Sequence, residues 1–165
     1  MLNINELKSA LLQCESWLKD NVSEACAGGI VLGLSGGIDS SVLAALGREA
    51  LGRDKVLGVI MPCRSIDEDE ADARLLAQAV DVDFIRVDLS GVFDSMQKNI
   101  NLGELNSLVK SNMKARLRMV TLYAVAQSKN FLVCGTSNKS ENYVGYFTKG
   151  GDSVSDIRVL SDFTV

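Results

Sequence analysis

Apolar residues along this chain come in short runs that switch between two periods. Gly28–Leu34 and Val56–Met61 are continuous apolar runs of strand length, and Phe84–Val87 and Phe131–Cys134 are shorter strand-like segments. Between them the apolar positions follow helical spacing. One helix is predicted from Asp39, with Val42, Leu43, Ala45 and Leu46 on its packed face, another from Asp67, and further helices to about Ser128, the last over 106–128. The N-terminus reads as an amphipathic helix with Leu7, Leu11 and Leu18 among polar neighbours. Strands that alternate with helices pair in parallel through right-handed crossovers. Strands covered on both sides read as unbroken apolar runs. The pattern therefore predicts an α/β fold, a doubly wound parallel sheet with helices on both faces and ligands at the carboxyl ends of its strands. The glycine-rich, serine-containing stretch 135–156 lacks a clear period and reads as a functional or mobile loop. Residues 157–165 read as a final strand with no helix after it to cover it.

A length of 165 residues with 47% apolar side chains suits one compact domain, 1–165. No apolar stretch approaches the ~20 residues of a membrane helix. The first helix lacks the basic start and small-residue cleavage site of a secretory signal, so a soluble, cytoplasmic protein that is not a membrane protein is expected. A net charge of −4 argues against broad nucleic-acid binding. Cys14, Cys26, Cys63 and Cys134 are too scattered for a zinc site or a disulfide framework and read as reduced packing residues. The chain has no histidine, which removes imidazole metal sites and every Ser-His or Cys-His mechanism. The acidic run Asp67, Glu68, Asp69, Glu70 and Asp72 reads as the first turn of a helix, with Ser65 as its cap and Glu68 completing a capping box.

Gly33-Leu34-Ser35-Gly36-Gly37-Ile38-Asp39-Ser40-Ser41 follows a strand and opens a helix. Gly36 and Gly37 let the backbone approach a ligand closely, while Ser35, Ser40 and the free amides of the helix start can bind phosphate oxygens. There is no Walker lysine and no third glycine of the dinucleotide fingerprint. Asp39 either caps the helix or meets a cation, because a carboxylate in a phosphate cradle repels its ligand unless a divalent ion lies between them. The preceding Ser35-Gly36-Gly37 favours the cation. This stretch resembles the SGGxDS signature of the N-type ATP pyrophosphatases, whose fold is the adenine nucleotide alpha hydrolase-like one and which release pyrophosphate while adenylating a substrate.

After the strand at 131–134 come Gly135-Thr136-Ser137-Asn138-Lys139-Ser140-Glu141 and Gly145-Tyr146-Phe147-Thr148-Lys149-Gly150-Gly151-Asp152. Glu141 can approach the cradle and share a cation with Asp39. Thr136 offers a hydroxyl and Lys149 a charge, and Tyr146 and Phe147 suit a site with an apolar wall. On the helix over 106–128, Lys110, Lys114 and Arg118 form a stripe that reads as solvated. Arg116 lies off that stripe, with Met113, Met119, Val120 and Tyr123 as its helical neighbours, so its guanidinium leaves from an apolar face and needs either an internal carboxylate or an anionic ligand.

The two segments after the fourth strand resemble the GTxNKSE and GYFTKxGD motifs of the ammonia-dependent NAD synthetases. Over about Gly28 to Asp156 the resemblance implies a ligase forming a C–N bond, which amidates deamido-NAD to NAD with ATP, magnesium and ammonia, as a homodimer. It implies ATP contacts from Gly33, Leu34, Ser35, Gly36, Gly37, Ile38, Asp39, Ser40 and Thr136, magnesium ligation by Asp39 and Glu141, and deamido-NAD contacts from Arg116, Lys149 and Asp156. Asp152 is the position expected to take ammonia. No glutaminase segment is visible, so free ammonia is the expected nitrogen donor. The implied route is attack of the nicotinate carboxylate on the α-phosphorus of ATP, loss of pyrophosphate, then attack of ammonia with expulsion of AMP. Alternatives are another adenylating ligase of the superfamily or an ATP-binding fragment without turnover. The chain departs from the family at Ser153-Val154-Ser155, which replaces a glycine-rich stretch, and at Val159, which replaces a frequent proline. The family continues past a lysine aligned with Val165 into further ATP and dinucleotide contacts. The single domain is therefore expected to be C-terminally incomplete, binding ATP but turning over weakly.

Overall fold

A computed structural model describes residues 3–164. Helix α1 (Ile4–Glu24) is followed by β1 (Gly29–Gly33), α2 (Ile38–Leu51), a 3-10 turn at Arg53–Lys55, β2 (Val56–Ile60), α3 (Asp67–Ala79) and β3 (Asp83–Arg86). Then come α4 (Ser90–Ile100), α5 (Ser107–Lys129), β4 (Phe131–Val133) and the short α6 (Lys139–Val144). The strands form one sheet in the order β3-β2-β1-β4, and every pairing is parallel. The order reverses between β1 and β4, which opens a crevice at their carboxyl ends.

Strand alternation sends Ile30 and Leu32 of β1 to one face and Val31 to the other. The first face is covered by α1, α2 and α3 through Leu18, Val22, Leu43, Leu46, Ala73 and Ala77. The second is covered by α4 and α5 through Phe93, Met113 and Ala126. The doubly wound architecture read from the apolar runs is thus the observed one. Among the described residues no helix is long and apolar enough to cross a membrane.

On α2 the buried apolar side chains are Leu43, Ala44, Leu46 and Ala50, whereas Val42 and Ala45 are exposed. On α1, Leu18 is buried but Leu7 and Leu11 are exposed, so only the C-terminal half of the helix packs on the sheet. The cap of α3 is Ile66, with no side-chain bond; Ser65 instead accepts from the Cys63 amide and from Arg118. Residues 157–164 form no strand. Ile157 makes one parallel bridge to Cys134, and turns follow. The position at Val165 lies outside the described residues. Cys63 and Cys134 are buried packing residues, and burial pushes the Cys134 thiol up to about 12; Cys26 is exposed and packs against nothing in the core.

Candidate functional site

A cleft of about 1000 Å³ lies over the carboxyl ends of β1, β2 and β4. Its floor is the loop Gly33-Leu34-Ser35-Gly36-Gly37, which leaves β1 and starts α2. Gly36 has a φ of +82°, and a Cβ there would stand 2.8 Å from the Asp72 Cβ and 3.3 Å from the Asp69 carbonyl oxygen, so the loop lies directly on α3. Ser35 and Ser40 brace the loop from inside. Their hydroxyls are 3.1 Å apart, Ser40 Oγ donates to the Gly37 carbonyl at 2.9 Å, and the Gly37 amide donates to Ser35 Oγ at 3.3 Å. Ser40 is buried, so its hydroxyl belongs to this brace. Gly37 is the N-cap of α2 and gives no side-chain cap, which leaves the first-turn amides available to an anion. Asp39 therefore sits inside the first turn and is not the cap.

The Asp39 carboxylate is joined to the segment after β4. Asn138 Nδ2 donates to Asp39 Oδ1 at 3.3 Å, while Asn138 Oδ1 accepts from the Glu141 amide at 2.9 Å and the Asn138 amide donates to Glu141 Oε2 at 3.3 Å. The last two bonds are a capping box, which starts α6 in a stretch that the sequence pattern left irregular. The fold thus brings Asp39 and Glu141, distant in sequence, onto one buried asparagine.

Thr136 lines the cleft beyond β4, and Asp152, Tyr146 and Phe147 line its far wall. Asp152 Oδ1 accepts from the Thr148 amide at 2.8 Å, and the Thr148 hydroxyl donates to Asn112 Oδ1 at 2.8 Å, which ties this wall to α5. Arg116, Lys149 and Asp156 stand outside the cleft lining, and so do Ile38, Asp39, Ser40 and Glu141, which lie beside the loop that floors it. The Arg116 side chain is exposed and donates through Nε and Nη2 to the Lys149 carbonyl at 3.2 and 3.0 Å, so it is neither buried nor paired with a carboxylate. Lys149 is exposed. Asp156 accepts from the Val133 amide at 2.8 Å and from the Tyr123 hydroxyl at 3.2 Å, closing the edge of β4; burial, and then the Asp156 charge, raise the Tyr123 phenol.

Two functional candidates escaped the sequence pattern. Arg118, read as solvated, is half-buried and lines the cleft, with Nε donating to the Met61 carbonyl at 3.2 Å and Nη2 reaching Ser65 Oγ at 3.4 Å. No ion pair involves Arg118 among the described residues. Its position follows from Leu122, one turn on, which faces Gly33 of β1; side chains four residues apart share a helix face. Lys114 is likewise not free in solvent, since its ammonium lies 5.4 Å from the centre of the Phe93 ring. Asn138 is the second, one of the few fully buried polar residues. Glu70 also borders the cleft, but hydrogen bonds from Arg86 and then Arg74 hold its carboxyl below the usual range and occupy it.

Residues 10–164 match the family model described as NAD synthase. The NH(3)-dependent NAD(+) synthetase of Finegoldia magna is 47% identical over 146 residues, which is 87% of this chain and 59% of that protein. The NH3-dependent NAD synthetase of Campylobacter jejuni superposes with a TM-score of 0.89 at 30% identity, covering 95% of this chain and 68% of that one. An NMN synthetase from Francisella tularensis gives a TM-score of 0.89 at 34% identity, covering 94% and 65%. The chain spans 56 to 59% of the length of the first curated relatives it matches.

Proposed function

Because this chain belongs to the NAD synthase family, we propose that the protein amidates deamido-NAD to NAD with ATP and ammonia in the cleft above its sheet. The observation that carries the reading is the joining of Asp39, in the first turn of α2 just after the phosphate loop, to Glu141 through Asn138. Two carboxylates beside an anion cradle are the hard oxygen donors that suit magnesium, which takes one or two carboxylates together with phosphate oxygens. When bound, the ion neutralises the phosphate charge that Asp39 and Glu141 alone would repel.

The chain's own groups supply the rest. The amides of Gly36 to Ser40 hold phosphate oxygens, and Thr136 adds a hydroxyl from across the crevice. The nicotinate carboxylate attacks the α-phosphorus and pyrophosphate leaves, giving an acyl-adenylate; ammonia then attacks the acyl carbon and AMP leaves. Asp152, at the cleft wall, receives ammonia and takes up its proton. Arg116, Lys149 and Asp156 are assigned to the dinucleotide at the cleft's outer rim. A homodimer belongs to the same proposal. This is catalysis by positioning and charge neutralisation, which needs no histidine.

Arg118 is assigned to the bound nucleotide as its second source of positive charge. Arg118→Met keeps an unbranched apolar stem and removes the charge, and a hydrogen bond to a charged group contributes about 1.5–3 kcal/mol. ATP affinity measured by calorimetry is expected to fall about 10–100-fold, with the melting temperature lowered only modestly, since the bonds to the Met61 carbonyl and Ser65 are lost but no ion pair is. Unaltered affinity would remove Arg118 from the site.

The likeness to the Francisella NMN synthetase supports a second reading in which the mononucleotide replaces the dinucleotide as the acid amidated. Following amide formation with each nicotinate substrate, and with ammonium against glutamine, tests the proposal. Preference for deamido-NAD and ammonium upholds it; turnover of the mononucleotide alone supports the second reading.

A further inference from the structure

We propose that Asn138 is a positioning residue that turns both carboxylates of the magnesium site toward the ion, an inference that rests on the magnesium reading above. Asn138 is 4% exposed, and its backbone amide, side-chain amide and side-chain carbonyl each hold one partner. The capping box accounts for only part of this. Ser, Thr or Asp would cap α6 as well, and none of them could also donate a side-chain N–H to Asp39. An asparagine does both, because its carbonyl faces the Glu141 amide while its NH2 faces Asp39.

The effect on the two carboxylates is the same. Asn138 donates to Asp39 Oδ1 through its side chain and to Glu141 Oε2 through its backbone, each at 3.3 Å. Each bond fixes the rotation of a carboxylate and leaves over one oxygen, Asp39 Oδ2 and Glu141 Oε1. One residue thereby couples the start of α2 to the start of α6, across 99 positions of sequence. Groups that orient metal ligands typically contribute 10–100-fold to metal affinity.

The test is Asn138→Ser, which keeps a capping hydroxyl for α6 and withdraws the donor from Asp39. Manganese is the probe, its free concentration followed by electron paramagnetic resonance during titration of the protein with a non-hydrolysable ATP analogue. The expected result is a 10–100-fold loss of manganese affinity, with metal-free analogue affinity and helical circular dichroism unchanged, a split that a purely structural role would not give. Asn138→Thr, also a capping residue, repeats the measurement should the serine variant melt early. If manganese affinity is unchanged in these variants while Asp39→Asn and Glu141→Gln lower it, the positioning role is overturned and the magnesium reading stands. If the wild-type chain holds manganese no better than Asp39→Asn with Glu141→Gln, the magnesium reading falls and this inference with it.

Discussion

Asp39→Asn and Glu141→Gln are each expected to lower magnesium-dependent ATP turnover by about 100-fold or more, beyond the 10–100-fold typical of residues that merely orient metal ligands. Their combination should be little worse than either alone, since ligands of one ion act as a unit and their losses do not add. Both substitutions spare the fold. Glu141→Gln keeps a carbonyl oxygen for the Asn138 amide, which preserves the capping box, and Asp39 is not the cap of α2. The measurement is initial rate against magnesium concentration for the wild type, both single variants and the double. A variant with the wild-type magnesium dependence would show that its carboxylate does not hold the ion, and simple multiplication of the two losses would show that they serve different steps.

Gly36→Ala is expected to abolish detectable ATP binding while the protein remains folded. The residue has positive φ, where a side chain costs roughly 1–2 kcal/mol. Its new methyl would also meet the Asp72 Cβ at 2.8 Å and the backbone of α3, and crowding of this kind costs roughly a further 1–3 kcal/mol. A folded domain can survive such a loss by lifting the loop off α3, which disperses the amides that form the cradle. Calorimetric titration with ATP, beside thermal unfolding, reads both effects. Wild-type affinity in a stable alanine variant would mean that the cradle does not need this loop geometry.

The apolar runs exposed the sheet because parallel strands covered on both faces have no polar side to interrupt them, as Ile30, Val31 and Leu32 show. The loop after β1 was legible for a related reason: its glycines and serines stand at the junction of a strand run and a helix period. Helix α6 is hidden because six residues give no usable period, and of its one local signal, Asn138 with Glu141, the glutamate reads as a cation ligand rather than as half of a capping box. Residues 157–164 imitate a strand by composition, yet only Ile157 pairs, in a single parallel bridge to Cys134. Bonds from Arg158 to Ser153 and Ser155, and from Ser161 to the Arg158 carbonyl, form turns there instead. The sequence pattern interchanges the α5 arginines because a helical wheel gives the angle between two side chains but not which of them meets the sheet. Only the contact of Leu122 above Gly33 fixes that, placing Arg118 in the cleft and Arg116 at the surface.

Activation of a carboxylate by adenylation in the cleft is tested most directly by the fate of one oxygen. Deamido-NAD carrying oxygen-18 in its nicotinate carboxylate, turned over with ATP, magnesium and ammonium, should yield NAD together with AMP bearing one labelled oxygen on its phosphorus, and unlabelled pyrophosphate. The label moves because the carboxylate oxygen that attacks the α-phosphorus departs with AMP when ammonia takes its place. Mass spectrometry of the nucleotide products reads the result. Formation of ADP with label in inorganic phosphate, or of AMP without label, would contradict the account.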